Sequence, residues 1–323
     1  MQRNRIFKKN SAIRNLISET SLLPHNLIYP MFICKNGIDP QIPSMPGIFR
    51  YTIDGAKNEI KHLMRLGISC FMLFPYVSQD EKDELGTLAL SSENIICRAI
   101  KEIKNSSPEA IIMADVALDP YTSHGHDGVL NLEKNDVDND KTVEILVKQA
   151  LIQAKCGADF ITPSDMMDGR IAKIRSILDE NSLNYTGIIS YSAKYSSNLY
   201  APFRGAINSG IKAGPVNKHT YQSDFRNEKF AIKEVMDDVN QGANGIIIKP
   251  AGWYLDIIKA CTNAVNVPIF AYQVSGEYAM IQNICSNDGV NLYNLALESV
   301  TCIKRAGASG IITYFSKIIA ENI

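Results

Sequence analysis

Eight short apolar runs punctuate this chain, and between them lie longer stretches whose apolar residues recur every three or four positions. The runs predict strands over 27–32, 68–74, 110–116, 158–162, 187–191, 245–249, 267–272 and 310–314. The helical spacing is clear over 55–66, 92–104, 141–155, 169–178, 228–241 and 291–305. Strand and helix that alternate throughout build a parallel sheet, since each strand can rejoin its neighbour only through a crossover. Eight such units fit a closed (β/α)₈ TIM barrel better than an open doubly wound sheet. With 323 residues and 46 % hydrophobic content, the chain can bury one core of that size.

In such a barrel, reactive groups gather where strands end and the following loops begin. The polar residues that stand out here all fall there. Asp115 and Asp119 follow strand three, Ser164 and Asp165 follow strand four, and Lys194 follows strand five. Lys249 ends strand six, Tyr272 and Ser275 follow seven, and Tyr314 ends eight. A lysine at the tip of a buried strand is partly desolvated, which lowers its pKa and frees a neutral amine to attack carbonyls. Two lysines on adjacent strand ends also depress one another by like-charge repulsion. One such lysine alone reads as a solvated loop residue; the pair reads as Schiff-base chemistry. The connection from Tyr195 to about Asn227 is unusually long and holds Pro202, Gly205, Gly210, Gly214 and Pro215, as expected of a lid over the site.

Charge and cysteines narrow the partners. The formal net charge of −1 gives no field that would recruit nucleic acid or an anionic membrane, so the expected partner is a small molecule. The seven cysteines are scattered with no CxxC pair, as expected of reduced thiols in the cytoplasm. No run is long enough to span a membrane and no signal-peptide core follows the start. Arg3, Arg5, Lys8, Lys9 and Arg14 precede any acid, and residues 1–23 read as an N-terminal arm ahead of a catalytic domain over 24–323.

Six strings in order make the pattern specific. They are Asp115-Val-Ala-Leu-Asp-Pro-Tyr-Thr-Ser-His-Gly-His-Asp127-Gly, Pro163-Ser-Asp-Met-Met-Asp-Gly-Arg170, Ser190-Tyr-Ser-Ala-Lys194, Pro202-Phe-Arg204, Lys249-Pro-Ala and Tyr272-Gln-Val-Ser-Gly-Glu-Tyr278. Together, between about Leu27 and Tyr314, they resemble the porphobilinogen synthase family, also called 5-aminolevulinate dehydratase. That resemblance implies a TIM-barrel hydro-lyase of heme biosynthesis, commonly a homo-octamer, that condenses two 5-aminolevulinate molecules with loss of two waters.

By position, Lys249 resembles the lysine of the propionate-forming site and Lys194 that of the acetate-forming site. Arg204, Lys218 and Gln222 resemble the clamp for the acetate-side carboxylate, a task to which a planar guanidinium is suited. Ser275 and Tyr314 match the hydroxyls that receive the propionate-side carboxylate. Asp115, Asp119 and Asp127 are expected to hold a protonated lysine, accept protons during imine formation or hold a cation, with an active-site magnesium left open, beside their ordinary work in turns and caps. The HxH pair His124 and His126 reads as hydrogen-bonded loop residues, not metal ligands.

Many members of the family hold catalytic zinc on three cysteines of the strand-three loop. Here those positions are Ala117, Asp119 and Asp127. Alanine cannot ligate and carboxylates are a hard oxygen set, so the chain resembles the aspartate-rich, zinc-independent branch. That branch implies an allosteric Mg²⁺ held mostly through waters by one glutamate, here Glu234, near a neighbour's N-terminal arm. Two other readings compete: a class I aldolase, which needs one lysine and a phosphate cradle where this chain has Ser275-Gly276-Glu277, and a non-catalytic scaffold, which has no use for paired strand-end lysines.

Overall fold

The computed structural model describes residues 2–210 and 216–323. Eight parallel strands form the barrel: β1 Leu27–Ile33, β2 Cys70–Pro75, β3 Ile111–Val116, β4 Phe160–Pro163, β5 Gly187–Lys194, β6 Gly245–Lys249, β7 Ile269–Tyr272 and β8 Gly310–Ile312. Each pairs with the next, and β8 closes on β1 through Leu27 opposite Ile311 and Ile28 opposite Ile312. Because both faces of each strand are covered, β1 and β6 are buried at every position, which is why they read as unbroken apolar runs.

The expected helices form at Ile53–Arg65, Ile95–Ser106, Asn139–Lys155, Arg170–Glu180, Lys229–Asn240 and Leu292–Ala306. Side-chain caps fix four of their starts: Thr52, Asn94, Asp138 and Asn291 accept from the backbone N–H three residues on. Two more helices complete the outer ring's later units. Leu255–Ala264 starts without a side-chain cap, and Ser275–Asp288 buries only its first turn, Ser275 to Tyr278, so neither announces itself by a strong start signal or stripe.

Two differences from the sequence reading matter for the site. β5 runs to Lys194 instead of stopping at Tyr191, with a register shift between Ser190 and Ala193. That shift sets Lys194 directly opposite Lys249. The long connection after β5 also has structure, with a short helix at Ala201–Ile207 and 3₁₀ turns at Asn198–Tyr200 and Lys218–Thr220. Gly214 and Pro215, counted in the expected lid, lie outside the described residues.

The two ends of this segment meet beside Lys194, where Ser223 N–H donates to the Lys194 carbonyl and Ser196 N–H to the Ser223 carbonyl. Arg50 donates to the Gly205 and Ala206 carbonyls, and Lys82 to that of Asn208, so the segment is tied down over the barrel mouth. Two glycines permit the seating. A Cβ on Gly276 would stand 2.6 Å from the Leu199 carbonyl oxygen, and one on Gly125, at φ +76°, 2.7 Å from that of Gly210.

Candidate active site

Lys249 and Lys194 end neighbouring strands in register, and both are buried. Their surroundings differ. The Lys249 ammonium lies 4.6–5.3 Å from the ring centres of Tyr191, Tyr200, Phe203 and Tyr272, and among the described residues no carboxylate is within ion-pair distance of it. Burial and then the charge of Lys194 push its pKa down to about 7, against weaker support from Asp115, Asp119 and Asp127. Ring faces attract a cation but do not replace its lost water fully.

Lys194 behaves otherwise. It donates to Asp127 Oδ1 at 3.0 Å and to the Ser164 carbonyl. Burial pulls its pKa down, but Asp127, Asp119 and Asp115 together outweigh burial, and the net direction is up. The mutual depression expected of the pair therefore falls on Lys249, while Lys194 stays an ammonium. The cause is Asp127. Its other oxygen accepts from Lys218 at 2.6 Å and from the Tyr221 hydroxyl at 2.9 Å. Burial would raise the Asp127 carboxyl, yet two ammonium groups hold it well below the usual carboxylate range.

Asp115 and Asp119 complete the acidic side. Burial, then repulsion from Asp119, pushes Asp115 up to about 7, and its Oδ1 is buried with no hydrogen-bond partner. Burial and then Asp127 raise Asp119. Gln222 has a buried Nε2 in the same unpartnered state. Buried polar atoms without a partner are rare in folded proteins, and these two belong to residues that line the lysines' cavity. Asp115, Asp119, Asp127, Ser164, Lys194, Lys249, Arg204, Lys218 and Gln222 line one inner cavity of about 30 Å³, with Phe74, Tyr200 and Phe203 closing it. A second cavity of about 800 Å³ is bordered by Arg204, Lys218 and His126 together with Ser196 to Leu199 of the connection after β5.

Three expected residues are placed differently. Asp165 does not reach the cavity: its Oδ1 accepts from Met167 N–H at 2.7 Å and its Oδ2 lies 3.4 Å from Arg170 Nε. Arg170 also donates to Ser190 and Asp238, so Asp165 belongs to a buried ionic cluster behind β5, with burial pushing it up to about 6. Ser275 Oγ accepts from Phe203 N–H at 3.0 Å and donates to the Leu199 carbonyl, which spends it on the lid. The Tyr314 hydroxyl is 3.0 Å from that of Tyr272, whose ring covers Lys249. Phe203 packs against Phe32 and Phe74 over that lysine.

The sequence reading missed the aromatic enclosure, Tyr191, Tyr200 and Phe203, and also Tyr221. The strings Ser190-Tyr-Ser-Ala-Lys194 and Pro202-Phe-Arg204 contain two of them, but an aromatic in an apolar run reads as core.

Glu234 stands apart on Lys229–Asn240. Its Oε2 accepts from Ser223 Oγ at 3.0 Å, and burial, with Asp238 and Asp168 nearby, pushes it up to about 7. It borders a cavity of about 130 Å³ with Asp168, Asp237, Asp238 and Arg170. Among the described residues, no group of three or more His, Cys, Asp or Glu is arranged to hold a metal.

A family model described as delta-aminolevulinic acid dehydratase matches residues 1–322. A protein of that name from Chlamydia pneumoniae is 44% identical over 322 residues, covering 99% of this chain and 96% of its own length. The Bacillus subtilis protein of the same name is 40% identical, covering 99% of this chain and 97% of its own. Among solved structures, the Toxoplasma gondii delta-aminolevulinic acid dehydratase (porphobilinogen synthase), in complex with the reaction product porphobilinogen, superposes with a TM-score of 0.96. It is 39% identical, and the match covers 99% of this chain and 91% of that one.

Replacing Asp127 by asparagine leaves Lys194 and Lys218 buried without their shared counter-ion. Asp127→Asn is expected to lower unfolding free energy by about 3–5 kcal/mol, read by urea titration at neutral pH. Since the folded carboxyl titrates below its ordinary 3.8, that difference should be full above this value and shrink as pH falls below it. A variant as stable as the parent at neutral pH would show that the bridge does not hold the site.

Proposed function

The chain belongs to the delta-aminolevulinic acid dehydratase family, hydro-lyases that make porphobilinogen in heme biosynthesis, and we propose that it acts through Schiff bases on both Lys249 and Lys194. The observation that supports this most is the unlike state of two lysines in register. Lys249, near neutral at physiological pH, can attack the ketone carbon of 5-aminolevulinate directly: its nitrogen bonds to that carbon and water leaves as the iminium forms. Lys194 is a cation until a neighbouring carboxylate takes a proton, and Asp115, raised to about 7 and lining the same cavity, is the base at hand. Lys249 therefore loads first. The second imine, on Lys194, acidifies the adjacent carbon, and one bound molecule becomes the enamine that attacks the other.

Confining both molecules replaces a bimolecular step by an intramolecular one, worth about 7–11 kcal/mol in favourable cases. The inner cavity of about 30 Å³ admits little more than a water, so the lid and Phe203 must withdraw for substrate to enter. On reclosure, Gln222, Lys218 and Arg204 meet one carboxylate; Ser275 and Tyr314, released from Phe203 and Tyr272, meet the other.

For the metals, the residues favour magnesium at Glu234 over zinc at the lysines. Asp127 is already ion-paired with two ammonium groups, Ala117 offers no ligand, and the site's carboxylates are hard donors. Glu234, by contrast, lies in an acidic recess with room for waters, which suits an ion that keeps its hydration shell. Bound magnesium would supply charge neutralisation there and no chemistry on substrate. The arm fits assembly into a homo-octamer: Ile6, Phe7, Leu16 and Ile17 are exposed on it. The scattered free thiols and the absence, among the described residues, of a helix able to cross a membrane suit a cytoplasmic enzyme.

Borohydride added with 5-aminolevulinate should trap covalent adducts on Lys249 and, less readily, on Lys194, and Lys249→Met should abolish turnover while keeping the fold. An active preparation with neither lysine labelled would refute the Schiff-base route. A zinc-selective chelator should leave the rate nearly unchanged. Removing magnesium, or Glu234→Ala, should lower both rate and sedimentation coefficient. A variant that still grows and gains activity with magnesium as the parent does would make Glu234 an ordinary helix residue.

A further inference from the structure

We propose that Tyr221 and His126 form a proton path that connects the closed pocket with the larger outer cavity that adjoins it. The path is continuous in hydrogen bonds. Lys194 Nζ is 3.0 Å from Asp127 Oδ1, Asp127 Oδ2 is 2.9 Å from the Tyr221 hydroxyl, and that hydroxyl is 3.1 Å from His126 Nδ1. His126 borders the outer cavity of about 800 Å³, whose rim includes the exposed Phe225 and Trp253. The two cavities adjoin across Arg204 and Lys218, which border both, and this chain of groups begins at the inner one and ends at the outer one.

The reaction gives such a path a task, and here the proposal rests on the porphobilinogen synthase reading. Two zwitterionic substrate molecules carry two ammonium and two carboxylate groups. The product keeps both carboxylates and one ammonium, because the other nitrogen becomes an uncharged pyrrole nitrogen. One proton is therefore released per turnover along with two waters. In the proposed reclosed state the substrate fills the pocket, which leaves no bulk water there to receive that proton.

The transfer balances by shifting protons already in the chain. As Lys194 leaves the ring carbon its amine takes the proton of the substrate nitrogen, and Lys194 then passes a proton to Asp127 Oδ1, where rotation of the neutral carboxyl presents it to Tyr221. Protonated Asp127 then donates to the Tyr221 oxygen while the Tyr221 proton moves to His126 Nδ1, and the proton on Nε2 leaves for the outer cavity. The imidazole is then left protonated on Nδ1 and donates to Tyr221, which donates to ionised Asp127, and rotation of the ring returns a bare nitrogen to Tyr221 for the next turnover. Burial and then Lys218 push His126 down to about 4, against the pull of Asp127, so the ring carries protons without retaining one. Tyr221 and His126 act through Asp127 and Lys194 and touch no substrate in this scheme.

The test uses Tyr221→Phe, which keeps the ring and removes the hydroxyl; His126→Gln, which keeps a side chain able to hydrogen-bond Tyr221 but cannot relay; and His126→Ala. Single-turnover mixing with 5-aminolevulinate, followed by a pH-indicator dye in weak buffer and by pyrrole colour, reads proton release and ring formation together. Wild type should release one proton per pyrrole in step with ring formation. Each variant should slow both by about 10²-fold, and added imidazole should restore most of the loss in His126→Ala and none in Tyr221→Phe. Unchanged rates in Tyr221→Phe and His126→Gln overturn the path. So does a loss in His126→Ala that imidazole does not relieve, since that marks a packing role. Absence of pyrrole from wild type would instead undo the functional reading on which the proposal rests.

Discussion

A single buried carboxylate organises this site. Asp127 receives Lys194 on one oxygen, and Lys218 with Tyr221 on the other. It thereby joins a strand end, the strand-three loop and the lid. Buried charge is costly unless paired, so this arrangement persists only while all three elements are in place. The lid's position over the barrel and the charge of Lys194 are consequences of the same interaction. In the proposed opening for substrate Lys218 and Tyr221 leave Asp127, which would weaken the hold on Lys194 as the proposed chemistry requires.

The second consequence is the division between the lysines. Register alone would leave them equivalent, since Lys194 and Lys249 lie opposite one another on adjacent parallel strands. What separates them is that carboxylates face one and aromatic rings the other. Lys249 gains no ion pair among Tyr191, Tyr200, Phe203 and Tyr272 and is pushed toward neutrality; Lys194 gains Asp127 and is pushed the other way. The proposed order of the imines rests on this difference in electrostatics.

Much of the fold was legible because a parallel strand covered on both faces is apolar along most of its length, and seven of the strands have boundaries within about two residues of the reading. The lysines were legible for the same reason, as charges at the ends of such runs. β5 was read short at Tyr191 because Ser190 and Ser192 interrupt its apolar run, and the register shift that aligns Lys194 with Lys249 has no signature in residue type. Ser275–Asp288 buries one turn and leaves the rest outside, so its periodicity is weak. Asp165 illustrates a different limit. Adjacent residues after a strand point to opposite sides, and its neighbour Ser164 faces the cavity while Asp165 meets Arg170, a partner known only once β4 and the following helix are built. The opposite charge states were hidden because burial, the part that sequence reveals, lowers both lysines, and only the position of Asp127 decides between them.

That difference can be observed directly. Lysine labelled with ¹³C at Cε reports protonation through its chemical shift, and Lys249→Met and Lys194→Met identify the two resonances. In substrate-free enzyme Lys249 should titrate with a midpoint of about 7, while Lys194 remains protonated beyond the ordinary lysine value of 10.5 for as long as the protein stays folded. Two lysines titrating together, or Lys194 losing its proton before Lys249, would contradict the division of charge on which the ordered chemistry depends.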